Sequence, residues 1–401
     1  MVEKKTAIIA VAVVAILVVA AVLVVVASPD KESSTGLYTV KANVNKDCTG
    51  TPFYVGTDIG YFDAYDIDFQ DQGALDYGLQ PAALISGQDD IYDGHPITII
   101  NLLKAGVKVK GVVMSGYEPL DGDINKQHMH WLVDKTRNDG KVINSIADLL
   151  TLGHKPKVAV LAEGVCADLE VQVWLTSYGY DLSQFEIVVL SDPYQEAALQ
   201  SGAIDVAVLH PPFYAAAEEH GDVTVIATSM DTLGQYAGVS LLVFTEKFIS
   251  EHPDSVRQFI KAYKGAQRWS DDHQTEAGKL TADTIGLSSA VPHWFSYNGV
   301  ITNADIQPWI DAMVEFGLIS EGEFKASDLF TTEFSDLWTS PTTPELLNPF
   351  NSKTNESYKW FNTIVGDQYD SSAVDVDHST HFVEDLEAVD ATKPKAEQGT
   401  A

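Results

Sequence analysis

The first pattern along the chain is an uninterrupted apolar run. Ala7 to Ala27 carries no charge, proline or glycine, with Lys4 and Lys5 before it and Asp30, Lys31 and Glu32 after it. Roughly 20 apolar residues cross about 30 Å of hydrocarbon as a helix, whereas the apolar core of a cleaved leader is about 7–15 residues long. Residues 1–28 are therefore expected to form a transmembrane anchor, and the lysines on its N-terminal side place everything after Ser28 outside the cell. Val25 and Ala27 are small enough to mark a cleavage site, so a secreted form is the alternative. Residues 29–36 are polar and read as a linker.

Shorter periods begin after Gly36. Tyr38 to Val44 alternates as a strand, and Pro52 is placed to start a helix through Phe53 to Ile59. Tyr65 to Phe69 reads as a strand and Asp76 to Ser86 as a helix stopped by Gly87. Asp89 to Tyr92 is a short strand, Pro96 to Lys104 a helix, and Val107 to Met114 an apolar strand. The rhythm then repeats. Strands are expected at Lys157 to Leu161, Phe185 to Leu190, Asp205 to Leu209 and Val223 to Ala227. Helices at Ala167 to Tyr178, Tyr194 to Gln200 and Pro212 to His220 alternate with them, followed by Gly179, Gly202 and Gly221. Such alternation is the signature of an α/β fold with doubly wound parallel sheets.

The pattern changes after Gln235. Ser240 to Thr245 is a strand, and then helices follow at Pro253 to Asp272, Glu276 to Ile285 and Asn303 to Phe316. This segment has no strand series of its own and is expected to pack back on the first lobe. Residues 345–401 are polar and acidic and read as an appended extension with a disordered tip.

At 401 residues the chain suits two lobes of ordinary size, and 45% hydrophobic with 20% charged residues is the composition of a globular protein. A net charge of −32 repels phosphate backbones, so no nucleic-acid partner is expected. Cys48 and Cys166 are the only cysteines, too few for a disulfide scaffold or a zinc ribbon. The chain holds no phosphate loop, dinucleotide fingerprint, His-Glu-x-x-His or Gly-x-Ser-x-Gly sequence, so neither a cofactor nor an enzymatic activity is expected.

In open α/β sheets, ligands bind beyond the carboxyl ends of the strands, at loops leading into helix N-termini. Those loops are Asp47 to Pro52, Asp93 to Pro96, Glu163 to Ala167, His210 to Tyr214 and Gly234 to Gly238. They supply the candidate ligand-binding residues Cys48, Thr49, Thr51, Tyr54, Gly94, His95, Gly164, Val165, Cys166, His210, Tyr214, Gln235 and Tyr236. None contains Lys or Arg, so a monoanion held by backbone N–H groups, a zwitterion or a neutral heterocycle fits better than a multiply charged anion. His95 and His210 stand at strand-to-helix turns just before prolines and are preferred as ligand contacts. His128 and His130 could offer two metal ligands but are expected to face outward from a plain strand. Asp375, Asp377, His378 and His381 are read as solvated tail, and Asn355-Glu356-Ser357 matches a glycosylation acceptor.

Two stretches carry a family resemblance. Ala83 to Ile91 (ALISGQDDI) and Ala198 to Val208 (ALQSGAIDVAV) resemble elements of the nitrate/sulfonate/taurine and thiamine-precursor group of ABC-transporter substrate-binding proteins. Pro211-Pro212-Phe213, Tyr54 to Phe62, Ser145 to Leu149 and Thr245 to Ala266 are similar to further segments of that group, in the same order, over roughly Tyr38 to Trp338. The resemblance implies a type II periplasmic-binding-protein fold, with lobe 1 at residues 37–131 and 230–344 and lobe 2 at 132–229. Crossovers are placed near Trp131–Val133 and Ala227–Met230. It further implies a monomer that closes on a small-molecule ligand such as a sulfonate, taurine, nitrate or pyrimidine-like compound and docks on an ABC permease and ATPase complex. Gly164-Val165-Cys166 replaces the group's usual small-hydroxyl turn. The alternatives on this fold are a synthase that uses its own histidine and a surface sensory domain.

Overall fold

The computed structural model describes residues 38–119, 122–135, 142–287, 295 and 298–338. The expected anchor, the linker and the C-terminal extension with its histidine cluster and acceptor sequence lie outside them. No helix among the described residues is long and apolar enough to cross a membrane.

Three sheets organise these residues. β1 (Tyr38–Ala42) pairs with β2 (Ile67–Asp71). The second sheet holds β3 (Ile91–Gly94) and β4 (Val109–Gly116). These do not pair with each other, because the late strand β10 (Ser240–Thr245) lies between them, antiparallel to both: Leu241 stands opposite Gly94 on one side and Met114 on the other. The third sheet has the order β7 (Glu186–Val189), β6 (Lys157–Val160), β8 (Val206–Leu209), β5 (His130–Asp134), β9 (Val223–Thr228). Here β6 runs parallel to β7 and β8, while β5 is antiparallel to β8 and β9. The expected purely parallel sheets are thus corrected, since each large sheet carries one antiparallel strand that pattern alone does not place.

β5 is buried over all five residues because both of its faces are covered. Trp131 packs on Trp174, with ring centroids 5.9 Å apart, while Leu132 joins the cluster of Ala159, Leu199, Leu209 and Tyr214. The residues expected as the first crossover, Trp131–Val133, are therefore core of the third sheet, and the passage between sheets precedes them at residues 117–129. The return runs through residues 229–239. These two passages are tied together: Ser229 N donates to Met129 O at 2.9 Å, and Met129 N donates to Ser229 Oγ at 3.1 Å. Gly238 packs so closely that an added Cβ would lie 2.8 Å from the Tyr117 carbonyl carbon.

Local signals account for most helices. Pro96 opens Pro96–Lys104 and Pro253 opens Pro253–Asp272, where a missing N–H costs nothing. Gly87, Gly202 and Gly221 close their helices in the left-handed region, at φ of 74°, 72° and 87°. The helices after β10 pack on the first helical segment. Thr51 and Thr281 share a 2.6 Å hydrogen bond, and Phe259 stacks on Phe62 at 5.3 Å and lies 6.5 Å from Phe53.

Candidate functional site

The ends of β3, β6 and β8 point their loops at one another. His95 follows β3 and caps the helix Pro96–Lys104 in extended backbone. Its Nδ1 lies 2.8 Å from Val239 O; a carbonyl can only accept, so Nδ1 carries a proton. Gly94 admits this turn because a Cβ there would meet the Tyr92 ring at 2.3 Å.

Cys166 is the first residue of the helix Cys166–Ser177 after β6, reached through Gly164 at φ 74°. His210 follows β8. Its Nε2 lies 3.5 Å from Cys166 Sγ, and its Nδ1 is 2.7 Å from Asp192 Oδ2, which also accepts the His210 backbone N–H at 3.1 Å. Asp192, the first residue of the helix Asp192–Ser201, is fixed in turn by Gln195 Nε2 at 3.1 Å. His128 arrives from the passage between sheets, its ring 4.6 Å from His95 and 4.8 Å from His210. One ligand atom each from His95, His128 and Cys166 falls within 4.8 Å of the others, and all three residues are buried.

Around these groups lies a small chamber of about 20 Å³, room for one or two waters. Thr49, Gly94, His95, Val165, Cys166 and His210 of the expected residues line it, joined by Asn45, Tyr77, Tyr92, Asp93, Thr98, His128, Leu161 and Ser240. No Lys or Arg is among the lining residues. Cys48 sits just behind the wall and ties the two sides together, its N–H donating to Pro211 O at 3.0 Å.

Other expected residues face elsewhere. Thr51 turns toward Thr281, and Tyr54 OH donates to Asn45 O at 2.7 Å behind the wall. Tyr214 is core, stacked on His130 at 3.8 Å with its OH donating to Asn125 O and Gln127 O. Gly164 O accepts from Asn101 Nδ2 at 3.1 Å. Gln235 and Tyr236 form a short 3-10 turn that is only partly buried, with Tyr236 O accepting from Trp309 Nε1. The outward histidines are a correction: His128 and His130 are 3% and 1% exposed. The helix Phe213–His220 covers His130 through Tyr214 and Glu218, whose Oε1 lies 2.6 Å from Nδ1.

Electrostatically the chamber is unusual for so buried a place. Burial pushes the Cys166 thiol up, but His95 and the hydrogen bond from His210 outweigh it and bring it down to about 6. Burial lowers His210, yet the charge and hydrogen bond of Asp192 hold it well above the usual histidine range. His95 is likewise raised, burial being outweighed chiefly by Cys166. Burial raises Asp93 to about 6 against the hydrogen bond from Ser115 Oγ, and raises Glu170 well above the carboxylate range. The arrangement sets a thiol of lowered pKa beside imidazoles, with Asp93 on the chamber wall and Asp192 behind His210. It can hold a cation that favours nitrogen and sulfur, or grip a small solute by hydrogen bonds. Asp93 and Asp192 are members that sequence reasoning missed, and His128, weighed as a metal ligand, was read as facing outward. Asp93 opens one of the loops inspected, whereas Asp192 starts the helix after β7, whose loop was not among them; the strand-to-helix rule applied to β7 as well is the signal that could have found it.

The model of the NMT1-like family matches residues 72–286, more than half of the chain. The chain belongs to the NMT1-like family. A Brachyspira hyodysenteriae protein named as an ABC transporter periplasmic binding protein is 28% identical over 145 residues, 36% of this chain; the match spans 38% of that relative's length. Among solved structures, the periplasmic nitrate-binding protein NrtA from Synechocystis superposes with a TM-score of 0.62 at 13% identity, over 80% of this chain and 91% of that one. A Staphylococcus aureus ligand-binding component of an ABC-type import system, solved with zinc bound, gives 0.58 at 12% identity, covering 75% and 98%. The periplasmic aliphatic sulphonate-binding protein SsuA from Escherichia coli gives 0.56 at 17% identity, covering 75% and 99%. At such identities the likeness establishes the α/β periplasmic-binding-protein fold.

Proposed function

We propose that the protein is the extracytoplasmic solute-binding component of an ABC importer, capturing a small solute by closure of two lobes, one built on the sheet of β3, β10 and β4 and the other on the sheet of β7, β6, β8, β5 and β9. The observation that carries this reading is that the chamber has one wall from the β3 side, at His95, and the other from the β6 and β8 side, at Cys166 and His210. A solute touching both walls stabilises the closed form by its differential affinity for it, and the closed form is then the one a permease recognises. No covalent step is required. Family membership and the named function of the Brachyspira relative support the importer context.

A thermal-shift panel of sulfonates, carboxylates, nitrate, bicarbonate, pyrimidines and metal ions tests it. A bound solute at about 100 times its dissociation constant adds roughly 2.7 kcal/mol of stability. His210→Ala is expected to remove that gain while leaving the protein folded. If no member of the panel stabilises the protein, the reading loses its support.

A further inference from the structure

We propose that the chamber is a binding site for a borderline-soft divalent transition-metal ion of the Zn²⁺ type, held by His95, His128, His210 and Cys166. The inference rests on the solute-binding reading and names the class of solute for that same site.

The geometry comes first. A tetrahedral ion about 2.05 Å from nitrogen and about 2.3 Å from sulfur places those two ligand atoms about 3.5 Å apart along the tetrahedron's edge. Cys166 Sγ and His210 Nε2 are separated by 3.5 Å. The ligand atoms of His95, His128 and Cys166 lie within 4.8 Å of one another, so contraction by at most about 1.4 Å gathers these three around one ion, which His210 reaches through its contact with Cys166.

The outer contacts agree. A metal-bound imidazole donates its other N–H to a carboxylate or carbonyl, which fixes tautomer and ring orientation. His210 does so toward Asp192 at 2.7 Å and His95 toward Val239 O at 2.8 Å, leaving Nε2 of each for the chamber. Gln195 and Trp309 complete the support, the first by its hydrogen bond to Asp192 and the second by stacking on His95 at 5.2 Å.

Size and charge point the same way. Room for one or two waters admits an ion in place of water but not an organic sulfonate. The lack of Lys and Arg, which the loops already displayed, suits a cation even better than a neutral solute beside two acidic residues. Asp93 lines the chamber, and Asp192 is bonded to His210. The same Cys166, His210 and Asp192 would also serve a thiol nucleophile, but that chemistry gives His95 and His128 no task.

The test uses the whole protein, stripped with a chelator and titrated with Zn²⁺ or Co²⁺ alone. One equivalent of Co²⁺ is expected to give intense tetrahedral visible bands and a sulfur-to-cobalt charge-transfer band. Zn²⁺ is expected to abolish both by competition. Cys166→Ser, nearly isosteric, should erase the charge-transfer band and weaken Zn²⁺ binding by at least about 100-fold, with its metal-free melting temperature unchanged. A pale octahedral cobalt spectrum, or Zn²⁺ binding indifferent to Cys166→Ser, overturns the assignment. An organic or anionic solute that stabilises the stripped protein when neither ion does would overturn the metal and leave the importer reading intact. If no ion or solute stabilises it, both are overturned.

Discussion

Cys166 and His210 meet at 3.5 Å although 44 residues separate them, one opening a helix after β6 and the other ending β8. Two parallel neighbouring strands bring their carboxyl ends together, so the contact follows directly from sheet order. Asp192, at the end of β7, anchors the histidine from behind. Asp192→Asn keeps an acceptor for Nδ1–H but removes the charge. It is expected to weaken ligand binding by about 10–100-fold while changing the ligand-free melting temperature little. Isothermal titration alongside calorimetric melting separates this positioning role from a purely structural one, which would move both.

Glu170 provides the pH prediction. It lies on the helix that Cys166 opens, fully buried, with Thr232 Oγ1 donating to its Oε2 at 2.8 Å. Burial first, and then the charges of Cys166 and Glu118, raise its carboxyl. A raised folded-state value means that the unfolded chain ionises first as pH climbs above about 4. The associated stability is therefore present below the unfolded carboxyl range and lost as pH rises through the folded value. Glu170→Gln is expected to melt higher than the parent at pH 8 and level with it at pH 4. A constant offset across that range would deny the buried carboxyl its role.

The passages between the sheets should tolerate little added bulk. At Gly238 a Cβ would press on the backbone of Tyr117 and Glu118 at 2.8 and 2.9 Å, and backbone cannot swing aside as a side chain can. Gly238→Ala is expected to cost about 1–3 kcal/mol in chemical denaturation. A neutral result would mean the two passages are not in firm contact.

Much of the architecture was legible because it is written locally. Pro96, Pro253, Gly87, Gly202 and Gly221 mark helix ends by backbone geometry alone, and the observed ends fall at or within a few residues of those expected. The insertion of β10 between β3 and β4 was not legible, since pairing partners separated by more than 120 residues leave no period to read. The site divided in the same way. His95 and His210 were found from their place before prolines at strand ends. His128 was weighed as a ligand but read as facing outward, because its burial comes from packing against His95 and His210, not from its neighbours in sequence.

The aromatic cluster beneath the first helical segment supports the β3 wall. Phe259 stacks on Phe62 at 5.3 Å and on Tyr263 at 6.0 Å, and Tyr263 lies 5.2 Å from Phe53. Phe259→Ala is expected to destabilise the protein by about 3–5 kcal/mol. Equilibrium urea denaturation reads it, and a loss below 1 kcal/mol would show that the helix Pro253–Asp272 is peripheral to that core.

Capture by closure makes one measurement decisive. Ile85 and Tyr194 are 58% and 66% exposed, on helices that belong to the two opposite sheets. Spin labels placed there through a non-cysteine chemistry report the separation of the sheets by pulsed dipolar spectroscopy. Stripped protein should give a broad distribution reaching to long distances, and saturation with the stabilising ligand should collapse it to one short, narrow peak that His210→Ala prevents. An identical distribution with and without that ligand would contradict capture between the lobes.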